Sequence, residues 1–139
     1  TVIMKTKVYM EHANITVQNI DESVKFFKTA FPEFKVRGGG DGWLHLGDHK
    51  TYLALTLGEK GSRKHPDYHE FGINHIGFVV DDVESVAARL ENEGYLRSYP
   101  KQVQQYRIRD YFNDSDNNQY EFVQYLSDHF EKRNTYSDQ

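Results

Sequence analysis

The sequence predicts an α+β fold in which one strand–helix–strand–strand–strand unit is written twice. Three observations predict it. The stretch from Glu11 to Ile20 and the stretch from Asn74 to Val83 share one layout, with His12 or His75 in second place, Val17 or Val80 five residues later, and Ile20 or Val83 eight residues later. Each stretch alternates like a strand and then enters an acidic helix start. Each is followed by three more strand-like runs, and internal repetition of this kind governs any choice of fold.

The elements follow in order. Tyr9 to Val17 alternates, with Ala13, Ile15 and Val17 on an apolar face and His12, Asn14 and Thr16 on a polar one, which is the period of a half-buried strand. Asn19 or Asp21 caps the first helix, whose stripe is Val24, Phe27 and Phe31 with Phe26 and Ala30 beside it. Pro32 ends that helix. Phe34 to Arg37 is expected as a strand and Gly38 to Gly42 as a turn. Trp43 to Leu46 and Thr51 to Leu57 follow as strands, with Leu53, Leu55 and Leu57 directed at the core. In the second unit Ile73 to Val80 is a strand. Asp81 or Asp82 caps a helix carrying Val83, Val86, Ala87 and Leu90, and Gly94 closes it. Tyr95 to Val103 contains Pro100 and is expected as an irregular or edge strand. Arg107 to Asn113 and Gln119 to Leu126 are the last strands, joined by a turn at residues 114–118. The units span residues 8–58 and 73–127, with a polar connection at 59–72 and a polar tail at 128–139, all within one domain of 139 residues. His65 and His69 lie four apart in the connection, but Pro66 makes them loop histidines rather than a helical metal face.

Composition narrows the function. The absence of cysteine excludes disulfide and thiolate chemistry and suits a reducing cytoplasm, where the protein is expected. A net charge of −4 gives no electrostatic footprint for nucleic acid. No apolar run approaches the ~20 residues of a membrane span, and no secretory signal pattern is visible. The expected partner is a small molecule.

The repeat places chemistry on one face. His12 and His75 open equivalent strands on the side opposite the apolar residues, and Glu121 has the same alternation on the last strand. Two histidines and one carboxylate form a facial triad for a divalent metal, leaving coordination positions open to substrate. Strand parity adds Asn14, Trp43, Arg107 and Arg109 as substrate-binding residues, with the two arginines suited to an anionic group. His45 is a candidate general base.

These segments resemble the vicinal oxygen chelate superfamily, also called the glyoxalase/bleomycin resistance/dioxygenase group. The resemblance rests on His12 to Ser23 with Phe26-Phe27, on His75 to Val83, and on Tyr111 to Phe122. The last stretch is similar to an aromatic, Asp-Pro-Asp-Gly-Asn, Glu-hydrophobic signature, with Ser115 for proline and Asn117 for glycine. It covers the chain from about Tyr9 to Leu126 and implies a cup-shaped mixed sheet of two βαβββ modules around one divalent metal ion (Fe, Mn, Ni or Zn). It also implies a homodimer. Family ligands come from the first and last strands of each module. His12, His75 and Glu121 match three of these positions, and Ala54 stands at the fourth. Glyoxalase I has a glutamate there as ligand and base, so ordinary glyoxalase I activity is not expected. Three-ligand relatives fit better. Fosfomycin thiol transferases and Fe(II) extradiol dioxygenases both place a tyrosine ten residues before the glutamate, and Tyr111 matches it as a catalytic residue. Two departures stand beside the match: residues 101–106 do not form the potassium loop of the fosfomycin enzymes, and Asn14 replaces their threonine. The resemblance implies a metal-dependent lyase or transferase chelating vicinal oxygens of a small substrate. An extradiol-type dioxygenase and a non-catalytic binding protein of the antibiotic-resistance kind are the alternatives.

Overall fold

A computed structural model describes residues 8–61 and 67–135. The elements run β1 (His12–Val17), α1 (Ile20–Ala30), β2 (Lys35–Gly40), β3 (Trp43–Gly47), β4 (Tyr52–Leu57), β5 (His75–Val79), α2 (Val83–Asn92), β6 (Arg97–Val103), β7 (Arg107–Asn113) and β8 (Gln119–Tyr125). The strand–helix–strand–strand–strand order therefore occurs twice. A short 3-10 turn, Phe130–Asn134, follows in the tail.

Each unit makes a four-stranded mixed sheet, in the orders β1-β4-β3-β2 and β5-β8-β7-β6. β1 is parallel to β4 and β5 is parallel to β8, while the remaining pairs are antiparallel. The parallel pairs need a crossover, and the helix in each unit supplies it. Asn19 caps α1 by accepting from the Glu22 amide at 3.1 Å, and Asp82 caps α2 by accepting from the Ser85 amide at 3.2 Å. Gly94 closes α2 with φ +88°, a backbone geometry that favours glycine.

Both units feed one core. Val17, Leu53 and Leu55 from the first sheet, Phe112, Tyr120 and Phe122 from the second, and the inner stripes of both helices belong to a single apolar cluster. The rings of α1 and of Phe31 just after it bridge the units. Phe27 meets Phe78 at 6.4 Å, Phe26 meets Tyr120 at 5.5 Å and Phe31 meets Phe122 at 5.6 Å. The sheet faces opposite this core carry the polar residues. β1 and β5 are the strands at the ends of their sheets, and they share two clefts. One, of about 310 Å³, is lined by Asn14 and Thr16 on one side and Asn74 and Gln119 on the other. A smaller one of about 130 Å³ brings His12 and Tyr52 opposite Ile76 and Gly77.

Several local expectations change. Gly38, Gly39 and Gly40 lie within β2, paired with His45, Leu44 and Trp43, and the turn is only Asp41-Gly42, with Gly42 at φ +75°. An Asp-Gly pair closes a two-residue hairpin better than a glycine run does. Leu57 is 51% exposed rather than in the core, because it ends β4 beyond the packed part of the strand. Tyr9 to Glu11 precede the strand, and β5 and β8 are shorter at their ends than expected. β6 is an edge strand with two register shifts, as Pro100 suggested. His65 lies outside the described residues. No described helix is long and apolar enough to cross a membrane.

Candidate functional site

The parallel register puts Gly77 beside Glu121, and the antiparallel register puts Tyr111 on the other side of Glu121. These side chains therefore rise from three adjacent strands on the face turned away from the core. His75, two residues before Gly77, shares that face. Its Nε2 lies 3.1 Å from Glu121 Oε2, and its Nδ1 lies 2.9 Å from Asn74 Oδ1. Tyr111 donates its hydroxyl to Glu121 Oε1 at 2.9 Å. Arg109 brings Nη1 to 3.8 Å from the same oxygen and donates from Nη2 to Gln102.

The electrostatics follow from this packing. Burial pushes the Tyr111 phenol far above its ordinary value of 10.0, and the hydrogen bond to Glu121 and that carboxylate's charge push it further. Both effects favour the protonated phenol, which donates to Glu121. The buried Nε of Arg109 has no hydrogen-bond partner among the described residues. A buried unpaired donor costs free energy unless water or a ligand meets it, so this side chain has capacity left for an oxygen of a bound molecule.

The first unit presents a different surface. His12 stacks on Tyr52 at 4.7 Å and 14°, and its Nδ1 lies 2.9 Å from Glu11 Oε1. Asn14 donates to Thr56 at 3.2 Å. His45 lies 4.8 Å from the Tyr52 ring and 5.0 Å from Trp43. Ala54, in register with Asn14 and His45, is buried beneath them. Among the described residues, no three histidine, aspartate or glutamate side chains gather as a ready metal site.

A profile of the Glyoxalase/Bleomycin resistance protein/Dioxygenase superfamily matches residues 9–122. The chain belongs to this superfamily. Solved structures agree on the fold. A glyoxalase family protein from Bacillus cereus superposes with a TM-score of 0.71 at 13% identity, covering 91% of this chain and 100% of that one. A glyoxylase/bleomycin resistance protein/dioxygenase domain from Frankia sp. EAN1pec gives 0.67 at 22% identity, covering 86% and 99%. The fosfomycin resistance protein FosX from Mesorhizobium loti gives 0.67 at 18% identity, covering 94% and 100%. A search of curated protein sequences finds no match.

Within this superfamily fold, the residues singled out by sequence divide into two groups. His75, Glu121, Tyr111 and Arg109 form one connected cluster on the second sheet. His12, Asn14, Trp43 and His45 lie on the first sheet, and His12 is engaged with Tyr52 and Glu11 rather than with His75 or Glu121. Arg107 is buried, its Nε donating to Gln104 at 2.8 Å, which ties it to the β6–β7 connection. Sequence reasoning missed Asn74, Gln102, Tyr52 and Arg37. Tyr52 carried a usable signal, since it sits opposite in parity to Leu53 and Leu55. Arg37 carried none, because the β-bulge between Val36 and Gly38 breaks the alternation that would have aimed it.

Proposed function

We propose that this superfamily member is a metal-dependent enzyme of lyase or transferase type, acting on a small substrate through two neighbouring oxygens. The observation that carries the proposal is the pairing of His75 Nε2 with Glu121 Oε2 at 3.1 Å. An imidazole nitrogen and a carboxylate oxygen held this close are the donor types that would take one divalent ion together. Both ring nitrogens of His75 face acceptor oxygens. With Nδ1–H given to Asn74, a neutral ring leaves its Nε2 lone pair directed at the carboxylate. A cation held by both residues would satisfy them, and a partner on the far ring nitrogen is the usual support of a ligating histidine.

His75 and Glu121 would hold one divalent ion (Fe, Mn, Ni or Zn), and His12 would complete the set. His12 lines the same small cleft as Gly77, and Gly77 offers no side chain between that cleft and Glu121. His12 would have to turn off Tyr52 and Glu11 to reach the carboxylate. The same donation across a homodimer, from a partner's first unit, is the alternative geometry. Bound there, the ion supplies Lewis acidity that stabilises negative charge developing on a chelated oxygen. Tyr111 keeps Glu121 oriented through its Oη proton, and Arg109 braces the same carboxylate and would meet an oxygen of the substrate. Ala54 provides neither a ligand nor a base at the remaining position, which counts against ordinary glyoxalase I chemistry.

The test is metal analysis of the purified protein, followed by a substrate screen with the metal found. About one divalent ion per chain is expected, with loss of binding in His75→Ala. Negligible metal after reconstitution, or full occupancy in His75→Ala, would sink the proposal. A second reading, a binding protein that sequesters a small molecule, is favoured by the engagement of His12 with Glu11 and Tyr52 and by Ala54. Tight ligand binding without metal or turnover would establish it.

A further inference from the structure

The first unit's half of the site face is a ladder of rings. Tyr52 stands between His12 at 4.7 Å and His45 at 4.8 Å, and Trp43 follows His45 at 5.0 Å. Two features of β2 make this ladder a surface rather than a packed core. Gly38 and Gly40 pair with His45 and Trp43 and leave β2 bare where side chains would stand. The Trp43 indole fills that space: a Cβ on Gly40 would lie 2.6 Å from its Nε1, and one on Gly38 would lie 4.0 Å from its far edge. The indole therefore lies along glycine backbone, and the residue remains 42% exposed.

The second feature is the bulge between Val36 and Gly38. A bulge bends its strand and re-aims a side chain. Here it leaves Arg37, whose guanidinium carbon lies 4.3 Å from the centroid of the Tyr52 ring. Among the described residues Arg37 enters no salt bridge. Its fork of donors is held at the ring ladder by a cation–π contact, with the Asp48 carboxylate as a charged neighbour beyond salt-bridge distance, and it can turn to an incoming acceptor.

We infer that this surface binds a planar, π-conjugated ring bearing an anionic substituent, such as an aromatic carboxylate, with the ring against Trp43 and the Tyr52–His45 pair and the anion at Arg37. Flat rings gain from offset or edge-to-face contact with such a surface, whereas a puckered ring of equal size gains only burial. An aliphatic substrate with vicinal oxygens would use the second unit's cluster and leave the ladder unfilled. The inference names the substrate class of the proposed enzyme and rests on that reading for its catalytic meaning, but the binding itself does not require the metal.

The experiment uses the full chain in chelator-containing buffer, with benzoate, cyclohexanecarboxylate and benzyl alcohol as probes. These share a six-membered ring and differ in planarity or charge. Trp43 is the single tryptophan, so its fluorescence reports binding at this surface, and calorimetry gives affinity for the variants. Benzoate is expected to quench Trp43 saturably and to bind at least tenfold more tightly than cyclohexanecarboxylate. Arg37→Gln should bring benzoate down toward benzyl alcohol, and Trp43→Leu should erase the preference for the flat acid. Equal affinity for the two acids, or a preference for benzoate over benzyl alcohol that is unchanged in Arg37→Gln, overturns the inference. Metal content of the same preparation is measured separately. A preference for benzoate in protein that never takes up metal supports this surface while refuting the metal reading, and metal uptake with no such preference overturns this surface alone.

Discussion

Glu121 is held from three directions, by His75 on β5, Tyr111 on β7 and Arg109 beyond it. One carboxylate oxygen faces His75 and the other accepts from Tyr111, so removing the phenolic hydroxyl frees the carboxylate to rotate without touching the core. The Tyr111→Phe variant is therefore expected to stay folded and to lose metal affinity by about 10–100-fold, the usual effect of deleting a partner that orients a ligand. Because burial and Glu121 push the phenol above its ordinary value, the metal-free protein should show no tyrosinate absorbance at neutral pH. Metal titration of the variant decides the point. Unchanged affinity would mean that Tyr111 fills space beside Glu121 without orienting it.

The elements show which signals in the chain were sufficient. Alternation placed His12, Asn14, His75, Glu121 and Tyr111 on the polar faces of their strands, because a period of two depends only on local geometry. Repetition gave the order of elements for the same reason. What alternation could not give was the distance between the two units' polar residues, since β1 and β5 meet through helix packing and shared clefts rather than a hydrogen-bonded ladder. Nor could it carry β2 past Arg37, where three glycines have no pattern and pairing with Trp43, Leu44 and His45 decides the structure. Caps were narrowed to two residues each, and the backbone chose Asn19 and Asp82. Asp82 accepts from both the amide and the hydroxyl of Ser85, and these bonds hold its carboxyl below the ordinary value of 3.8. A carboxyl depressed in the folded state stabilises above its unfolded value and loses that contribution as pH falls through the folded one. Asp82→Ala should therefore be less stable than the parent at neutral pH, and the gap should narrow as pH drops below 3.8. Denaturant midpoints across that range test it, and a gap independent of pH would assign the loss to something other than the charged cap.

At the scale of the molecule, the repeat does not make two independent bodies. Phe31 is 4% exposed and its ring meets Phe34 from its own unit at 4.8 Å and Phe78 and Phe122 from the other at 4.9 and 5.6 Å. Gln18, just after β1, adds a polar tie, since its amide N–H and side chain both donate to Asp116 in the β7–β8 turn at 3.1 and 3.0 Å. Separating the units would expose the rings that each needs to stay folded. The two are therefore expected to unfold in one transition, which a local and a global probe can follow. Trp43 fluorescence reports the first, and helix signal reports both. Truncating a buried phenylalanine costs about 3–5 kcal/mol, a large share of the roughly 5–15 kcal/mol that holds a domain folded. Phe31→Ala should lower the midpoint seen by both probes together. If Trp43 instead reported a transition well separated from the loss of helix signal, the units would be stable apart, and the shared core would not be what sets His12 and Tyr52 opposite Ile76 and Gly77.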